Sequence, residues 1–339
     1  MNLKSILNLF SILVLFFSFS FIFPIIVSII YEDGALHLFL KTLIIVASLG
    51  FIGFFFTRKV KSELSQKDGF LIIVMFWVVL STVGSVPFYL SGMSAIDSFF
   101  ESMSGITTTG ATVIANIDIL PESILFYRQL LQWMGGMGLI VLAIAVMPLL
   151  GIGGGQLYKT EIPGAMKEQK LTPRIKETAQ ALWVIYLGLT VVCCLMYYIN
   201  GMTFFDAVSH AMSTVAIGGF STHNESIGFY NSISIELICM VFMLLSSFSF
   251  TLHYFAIYKR KPLKYIYDPE LRFFISIIVL ILVFSTLINV FSNSSVSPSS
   301  WELLFHTISM VTTTGFSSSD TSNWPFSISF LLLVGAFIG

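Results

Sequence analysis

Asp97-Ser-Phe-Phe-Glu101-Ser-Met-Ser104-Gly-Ile-Thr107-Thr108-Thr109-Gly110-Ala-Thr112 decides how this chain is read, because the sequence writes it three times. The second copy is Asp206-Ala-Val-Ser-His210-Ala-Met-Ser213-Thr-Val-Ala216-Ile217-Gly218-Gly219-Phe-Ser221. The third is Glu302-Leu-Leu-Phe-His306-Thr-Ile-Ser309-Met-Val-Thr312-Thr313-Thr314-Gly315-Phe-Ser317. No gap is needed: an acid stands 13 residues before a glycine in each copy, and a serine six before it. Repetition of this kind outranks any single motif as an indicator of architecture.

Around the repeats the chain is apolar. Of 339 residues 56% are hydrophobic and 10% charged, against roughly 25% charged in an ordinary soluble domain, which argues against a water-soluble enzyme. Crossing about 30 Å of hydrocarbon takes roughly 20 apolar residues in a helix. Seven runs qualify: Ile6–Ile30, Ala35–Thr57, Gly69–Leu90, Ser123–Leu150, Thr178–Ile199, Asn231–Tyr258 and Phe273–Phe291. The first is too long for the apolar part of a signal peptide, and no small-x-small cleavage site follows it. An eighth run, Phe326–Gly339, has 14 residues and is expected to end inside a helix.

Charge orients the runs. The loops after the second, fourth and sixth hold Arg58, Lys59, Lys61, Lys67, then Lys159, Lys167, Lys170, Arg174, Lys176, then Lys259, Arg260, Lys261, Lys264 and Arg272. With Lys4 that is 15 of 17 basic residues on one side, the cytoplasmic side by the positive-inside rule, together with the N-terminus. The other side is acidic, as a cation entrance would be. The net charge of -1 gives no nucleic-acid footprint.

The three copies lie on the acidic side, and each reads as span, half-helix, turn, span. Ten helical residues cover about 15 Å, half the hydrocarbon, so the segment enters and turns back. Asp97, Asp206 and Glu302 complement the positive end of each half-helix, and its negative end favours a cation at mid-membrane. Non-helical backbone at that depth survives only when buried in protein or lining a watery path. The turns Thr107-Thr108-Thr109-Gly110, Ala216-Ile217-Gly218-Gly219 and Thr312-Thr313-Thr314-Gly315 are therefore the candidate filter. The backbone carbonyls of Thr108, Thr109, Ile217, Gly218, Thr313 and Thr314 are its candidate cation ligands. The glycines permit the positive φ that such a turn demands. Close helix packing by small residues accounts for Gly135, Gly136 and Gly138 but not for three copies in register.

Other chemistry is thin. Gly151-Ile-Gly153-Gly154-Gly155-Gln156 follows a span rather than a strand and is a poor dinucleotide fingerprint. Cys193, Cys194 and Cys239 sit in apolar runs, giving neither a disulfide framework nor a zinc site. Glu101, His210 and His306 hold equivalent half-helix positions, where they could tune the pore's field or form a metal site; polar packing is the preferred reading. His253 is read as a helix–helix contact. Arg128 is a functional candidate because buried charge is costly; pairing with an outer acid such as Glu122 would make it structural. An intramembrane hydrolase would need a nucleophile–base set or a metal motif, and neither is present in the sequence.

At these turns, at Gln132-Trp133-Met134-Gly135-Gly136-Met137-Gly138, and at Gln156-Leu-Tyr158-Lys159 with Pro163-Gly164, the sequence resembles the Trk/Ktr/HKT superfamily of potassium transporters, closest to the TrkH type. The resemblance implies an all-α polytopic membrane protein with four span–pore-loop–span repeats around a pseudo-fourfold pore. Residues 1–60 would be two leading helices, 61–177 and 178–268 two pore-loop repeats, and 269–339 a third truncated in its second helix; the fourth is missing. It implies that these 339 residues alone would not conduct. It further implies K⁺ selectivity from Gly110, Gly219 and Gly315, no cofactor beyond the transported K⁺, and a place in the inner membrane. Implied partners are a second copy of the chain, membrane lipid, and a TrkA-type cytoplasmic nucleotide-binding regulatory subunit that supplies the missing nucleotide chemistry. The basic stretches Lys159–Lys176 and Lys259–Lys264 are candidate docking surfaces. A carrier coupled to Na⁺ or H⁺ within the same superfamily is the alternative, and an unrelated solute transporter is a more distant one.

Overall fold

Residues 3–58, 66–146, 175–291 and 297–338 are described by a computed structural model. The Gly151–Gln156 stretch, residues 159–174 of the Lys159–Lys176 loop, the end of the Ser123–Leu150 run, Gly339, and Lys59 and Lys61 lie outside them. Among the described residues five helical segments are long and apolar enough to cross a membrane: Leu3–Tyr31, Leu36–Thr57, Leu71–Leu90, Gln180–Ile199 and Pro269–Phe291.

The described residues sort into two units. The first comprises Met1–Thr107 and Ala111–Ala179. Its elements are α1 (Leu3–Ser18), α2 (Ile22–Tyr31), α3 (Leu36–Thr57), α4 (Gln66–Gly84), α5 (Val86–Leu90), α6 (Ala95–Ile106) and α7 (Glu122–Val146), and the unit runs on into α8 (Ile175–Ile199). A 3-10 turn at Phe19–Phe21 separates α1 from α2. Pro24 has no N–H and its ring crowds the carbonyl four residues back, at Ser20, so the α-helical ladder tightens there.

The centre of this unit is Tyr127 on α7, fully buried, whose hydroxyl donates to the Gly84 carbonyl at 2.8 Å. Phe21, Phe39 and Phe88 close around its ring at centroid distances of 5.4–5.7 Å. The turn between α2 and α3 is tied to the start of α7 by Asp33, which accepts from the Ser28 hydroxyl, from Ala35 N at 3.0 Å and from Ser123 N at 2.8 Å. Gly135 lets α7 pass over the end of α6: a β-carbon there would stand 1.9 Å from the Ile106 carbonyl oxygen. Close approach is thus the role of at least one glycine in the Gln132–Gly138 stretch.

The second unit comprises Thr108–Gly110 and Gln180–Gly339. It holds most of α8, then α9 (Phe204–Val215), α10 (Ile233–Ser247), α11 (Phe250–Ile257), α12 (Lys264–Tyr267), α13 (Pro269–Phe291), α14 (Ser300–Val311) and α15 (Phe326–Ile338). Cys193 and Cys239 are buried and unoxidised, and the nearby Tyr197 hydroxyl shares a 2.9 Å hydrogen bond with Thr214.

The Asn231–Tyr258 run is not one helix. It breaks between α10 and α11, where Phe248 and Ser249 turn extended (ψ 145° and 122°). His253 heals the break: its Nε2 lies 2.8 Å from the Leu245 carbonyl and its Nδ1 2.6 Å from the Tyr265 hydroxyl. A carbonyl can only accept, so Nε2 carries the proton and Nδ1 accepts from Tyr265. His253 is therefore a splint within one polypeptide stretch and a tether to α12, rather than a plain helix–helix contact.

Candidate functional site

The repeated stretches form three half-helices of identical length. α6, α9 and α14 each have 12 residues, about 18 Å, well short of a bilayer core. Each begins at a hydroxyl three residues before the repeated acid. Ser94 Oγ accepts from Asp97 N at 3.1 Å and donates to its carboxylate at 2.8 Å. Thr203 Oγ1 treats Asp206 in the same way, at 3.1 and 2.7 Å. Ser299 accepts from Glu302 N at 3.2 Å while Glu302 accepts from Ser299 N at 2.7 Å, a complete capping box. Capping satisfies helix N–H groups that otherwise have no partner. The motif Ser/Thr-x-x-Asp/Glu was there to be read; attention to the acids alone misses Ser94, Thr203 and Ser299.

Each half-helix ends in a left-handed residue that is not glycine. Thr108, Ile217 and Thr313 have φ of 56°, 55° and 60°. Two positions on, Gly110, Gly219 and Gly315 have φ of 77°, 78° and 84°. In the second and third copies the Ser213 and Ser309 carbonyls accept from Gly218 N and Thr314 N at 2.9 Å, closing the helix across the left-handed residue. The serine six before the glycine is thereby explained there by its main chain; Ser309 also donates its hydroxyl to the Phe316 carbonyl at 2.7 Å. A β-branched residue in this region is an outlier, and such strain gathers at functional sites.

Thr108, Thr109 and Gly110 join the other two turns in the second unit, while Thr107 stays with the first. Within the second unit the turns abut in order. A β-carbon on Gly110 would stand 2.1 Å from the Gly218 carbonyl oxygen, and one on Gly219 would stand 1.9 Å from that of Thr314. One on Gly315 would meet nothing within 4 Å among the described residues. Ala216, Gly218, Thr312 and Thr314 are buried, Ile217 and Gly219 partly so, and Thr313 and Gly315 are exposed. The Thr312 and Thr314 hydroxyls lie 2.8 Å apart.

Behind the turns, the half-helices hold the chain that leaves each glycine. In the first copy Glu101 accepts from the Thr112 hydroxyl at 3.0 Å and from Val113 N at 3.2 Å. Its other partner is Arg128 Nε at 2.8 Å, both side chains having no exposure. The partner of Arg128 is thus the half-helix acid, not Glu122. In the second copy His210 Nε2 bonds Ser221 Oγ at 2.9 Å, again two residues beyond the glycine, while Nδ1 donates to the Asp206 carbonyl at 3.0 Å. His306 repeats the anchoring bond, Nδ1 to the Glu302 carbonyl at 2.9 Å, and packs against the edge of Trp324 at 4.8 Å. Glu101, His210 and His306 thus each make polar contacts within their own repeat.

A family model described as TrkH, cation transport protein, matches residues 36–339. The chain belongs to the TrkH family. TrkH membership makes it an integral membrane transporter rather than an enzyme, in keeping with its apolar helices. Its relatives include the Trk system potassium uptake protein TrkH of Halomonas elongata, 48% identical over all of this chain and 71% of that protein. TrkH of Vibrio parahaemolyticus is 48% identical with the same coverage, and TrkG of Escherichia coli is 40% identical over 100% of this chain and 70% of its own length. The crystal structure of the potassium transporter TrkH from Vibrio parahaemolyticus superposes with a TM-score of 0.86 at 45% identity, covering 99% of this chain and 70% of that one.

Proposed function

We propose that this protein takes up K⁺ through a filter of main-chain oxygens built from Thr107–Gly110, Ala216–Gly219 and Thr312–Gly315. The carbonyls of Thr108, Thr109, Ile217, Gly218, Thr313 and Thr314 are its ligands. One observation carries this reading: the Gly218 and Thr314 carbonyls each press on the glycine of the preceding turn, where no side chain could fit. Three turns with the same pair of left-handed residues, set edge to edge, make a wall of carbonyl dipoles. Such oxygens can replace the hydration shell of a bare alkali cation. The names of the relatives, potassium uptake proteins, supply the ion.

The same reading takes the three span–half-helix–turn–span units as three sides of a pseudo-fourfold pore, with the fourth side outside these 339 residues. It divides the chain at residues 60, 177 and 268. It puts the protein in the cytoplasmic membrane, N-terminus inside, as one copy of a dimer that docks a TrkA-type nucleotide-binding subunit on its basic loops.

The test is growth of a potassium-uptake-deficient bacterium on limiting K⁺. A full-length protein that contains this chain and a fourth repeat should restore growth, and the variant is made in that protein. Gly219→Ser should lower the K⁺/Na⁺ permeability ratio, because its side chain would collide with the Thr314 oxygen. An unaltered ratio in that variant would remove the glycine, and with it the carbonyl filter, from the mechanism.

A further inference from the structure

A groove of about 600 Å³ runs along α13 in the second unit, with walls that are almost wholly apolar. Tyr265 and Ile266 close one end beside Arg272, and Val279, Val283 and Phe284 line the rest. Ser276, also in the wall, spends its hydroxyl on the Phe273 carbonyl at 2.7 Å. From Arg272 to Phe284 the helix advances about 18 Å, close to the ~15 Å depth of one leaflet's hydrocarbon.

Charge is confined to the Arg272 end. Arg272 is exposed, its Nε held by the Ile266 carbonyl at 2.6 Å and its guanidinium 5.7 Å from the Tyr267 ring. Lys259, Arg260, Lys261 and Lys264 precede it in the chain, against only Asp268 and Glu270. Asp268 is occupied in capping α13, accepting from Leu271 N at 2.9 Å. A guanidinium at one end of an apolar groove about one leaflet long fits the two halves of an anionic lipid.

We propose that this groove is a binding site for an anionic glycerophospholipid, its phosphate on Arg272 and one acyl chain lying along Val279, Val283 and Phe284. An anionic lipid, rather than a second copy of the chain, is favoured by the pairing of Arg272 at one end with the matched depth of the apolar stretch.

Native mass spectrometry of the intact protein in mild detergent, titrated with phosphatidylglycerol or phosphatidylcholine, tests the proposal. The protein should retain one phosphatidylglycerol in preference to phosphatidylcholine. Arg272→Gln should weaken that retention about fivefold, the factor expected for one interfacial basic residue, whereas Arg272→Lys should keep most of it. Val283→Trp fills the slot from an exposed helix face, so it should abolish retention without lowering the lipid-free melting temperature. Equal retention of the two lipids, or phosphatidylglycerol still held by Val283→Trp, would overturn the site. So would efficient crosslinking of Val283→Cys between two copies in native membranes, which would make the face an interface.

Discussion

Glu101 and Arg128 form an ion pair with neither side chain exposed, Oε1 and Nε standing 2.8 Å apart. The pair joins a half-helix to the span that follows it, and Glu101 also holds Thr112 and Val113 just past the first turn. Removing one partner leaves an uncompensated charge in a dry interior, worth about 3–5 kcal/mol. Arg128→Met or Glu101→Gln should therefore lower the melting temperature strongly and reduce K⁺ uptake together. The double variant should recover much of the stability. A double-mutant cycle by thermal unfolding in nanodiscs measures this, and additive losses would show that the pair is not coupled.

Ile217 occupies a backbone conformation that costs an L-residue roughly 1–2 kcal/mol. Glycine relieves that strain but adds about 0.5–1 kcal/mol of chain entropy to the unfolded state. Ile217→Gly should thus alter stability by no more than about 1.5 kcal/mol. Val215→Gly, two residues earlier in the helix and almost fully buried, should cost more than about 2 kcal/mol. Denaturation of the two variants side by side decides it; an equal loss would mean that Ile217 is not strained.

That contrast marks how far sequence reading reaches here. Five of the seven expected spans and the short helix at each repeated stretch were legible, because length, hydropathy and register are one-dimensional properties. Thr108, Ile217 and Thr313 were not, since β-branched residues argue locally against a left-handed turn and only the surrounding fold imposes it. The break at Phe248 and Ser249 carries neither glycine nor proline, and it depends on a histidine that returns to Leu245 from eight residues along. Arg128 found Glu101 across 27 residues, a pairing set by packing, and sequence distance favoured Glu122. Gly135 meets Ile106 for the same reason: close approach is a three-dimensional fact.

Asp33 makes the joint between α2, α3 and α7 sensitive to acid. Burial alone would raise its pKa, but hydrogen bonds from Ser123, Ser28 and Ala35 outweigh burial and hold it below the ordinary carboxylate value of 3.8. A carboxylate with a depressed folded pKa stabilises above the unfolded value, and that contribution is lost as pH falls through the folded one. Melting temperature should therefore fall below about pH 4, and Asp33→Asn should be less stable at neutral pH and flatter across the acid limb. A parallel acid limb in the variant would assign the effect elsewhere.

His253→Leu removes the donor that satisfies the Leu245 carbonyl and the acceptor for Tyr265. The orphaned carbonyl costs about 1–3 kcal/mol where no water can reach it. Faster amide exchange should then appear from Leu245 to Tyr265 with the half-helices unchanged. His253→Gln, which can still donate and accept, should restore much of the protection; uniform exchange across the chain would deny the splint.

The caps at Ser94, Thr203 and Ser299 have a bearing on ions of the wrong sign. A bare helix N-terminus is a ready resting place for chloride or phosphate. Here three such ends are already sealed by their own hydroxyls and carboxylates, so a wandering anion finds negative charge where it would otherwise be welcomed. If the proposed K⁺ path holds, these capped ends disfavour anions at the start of each half-helix.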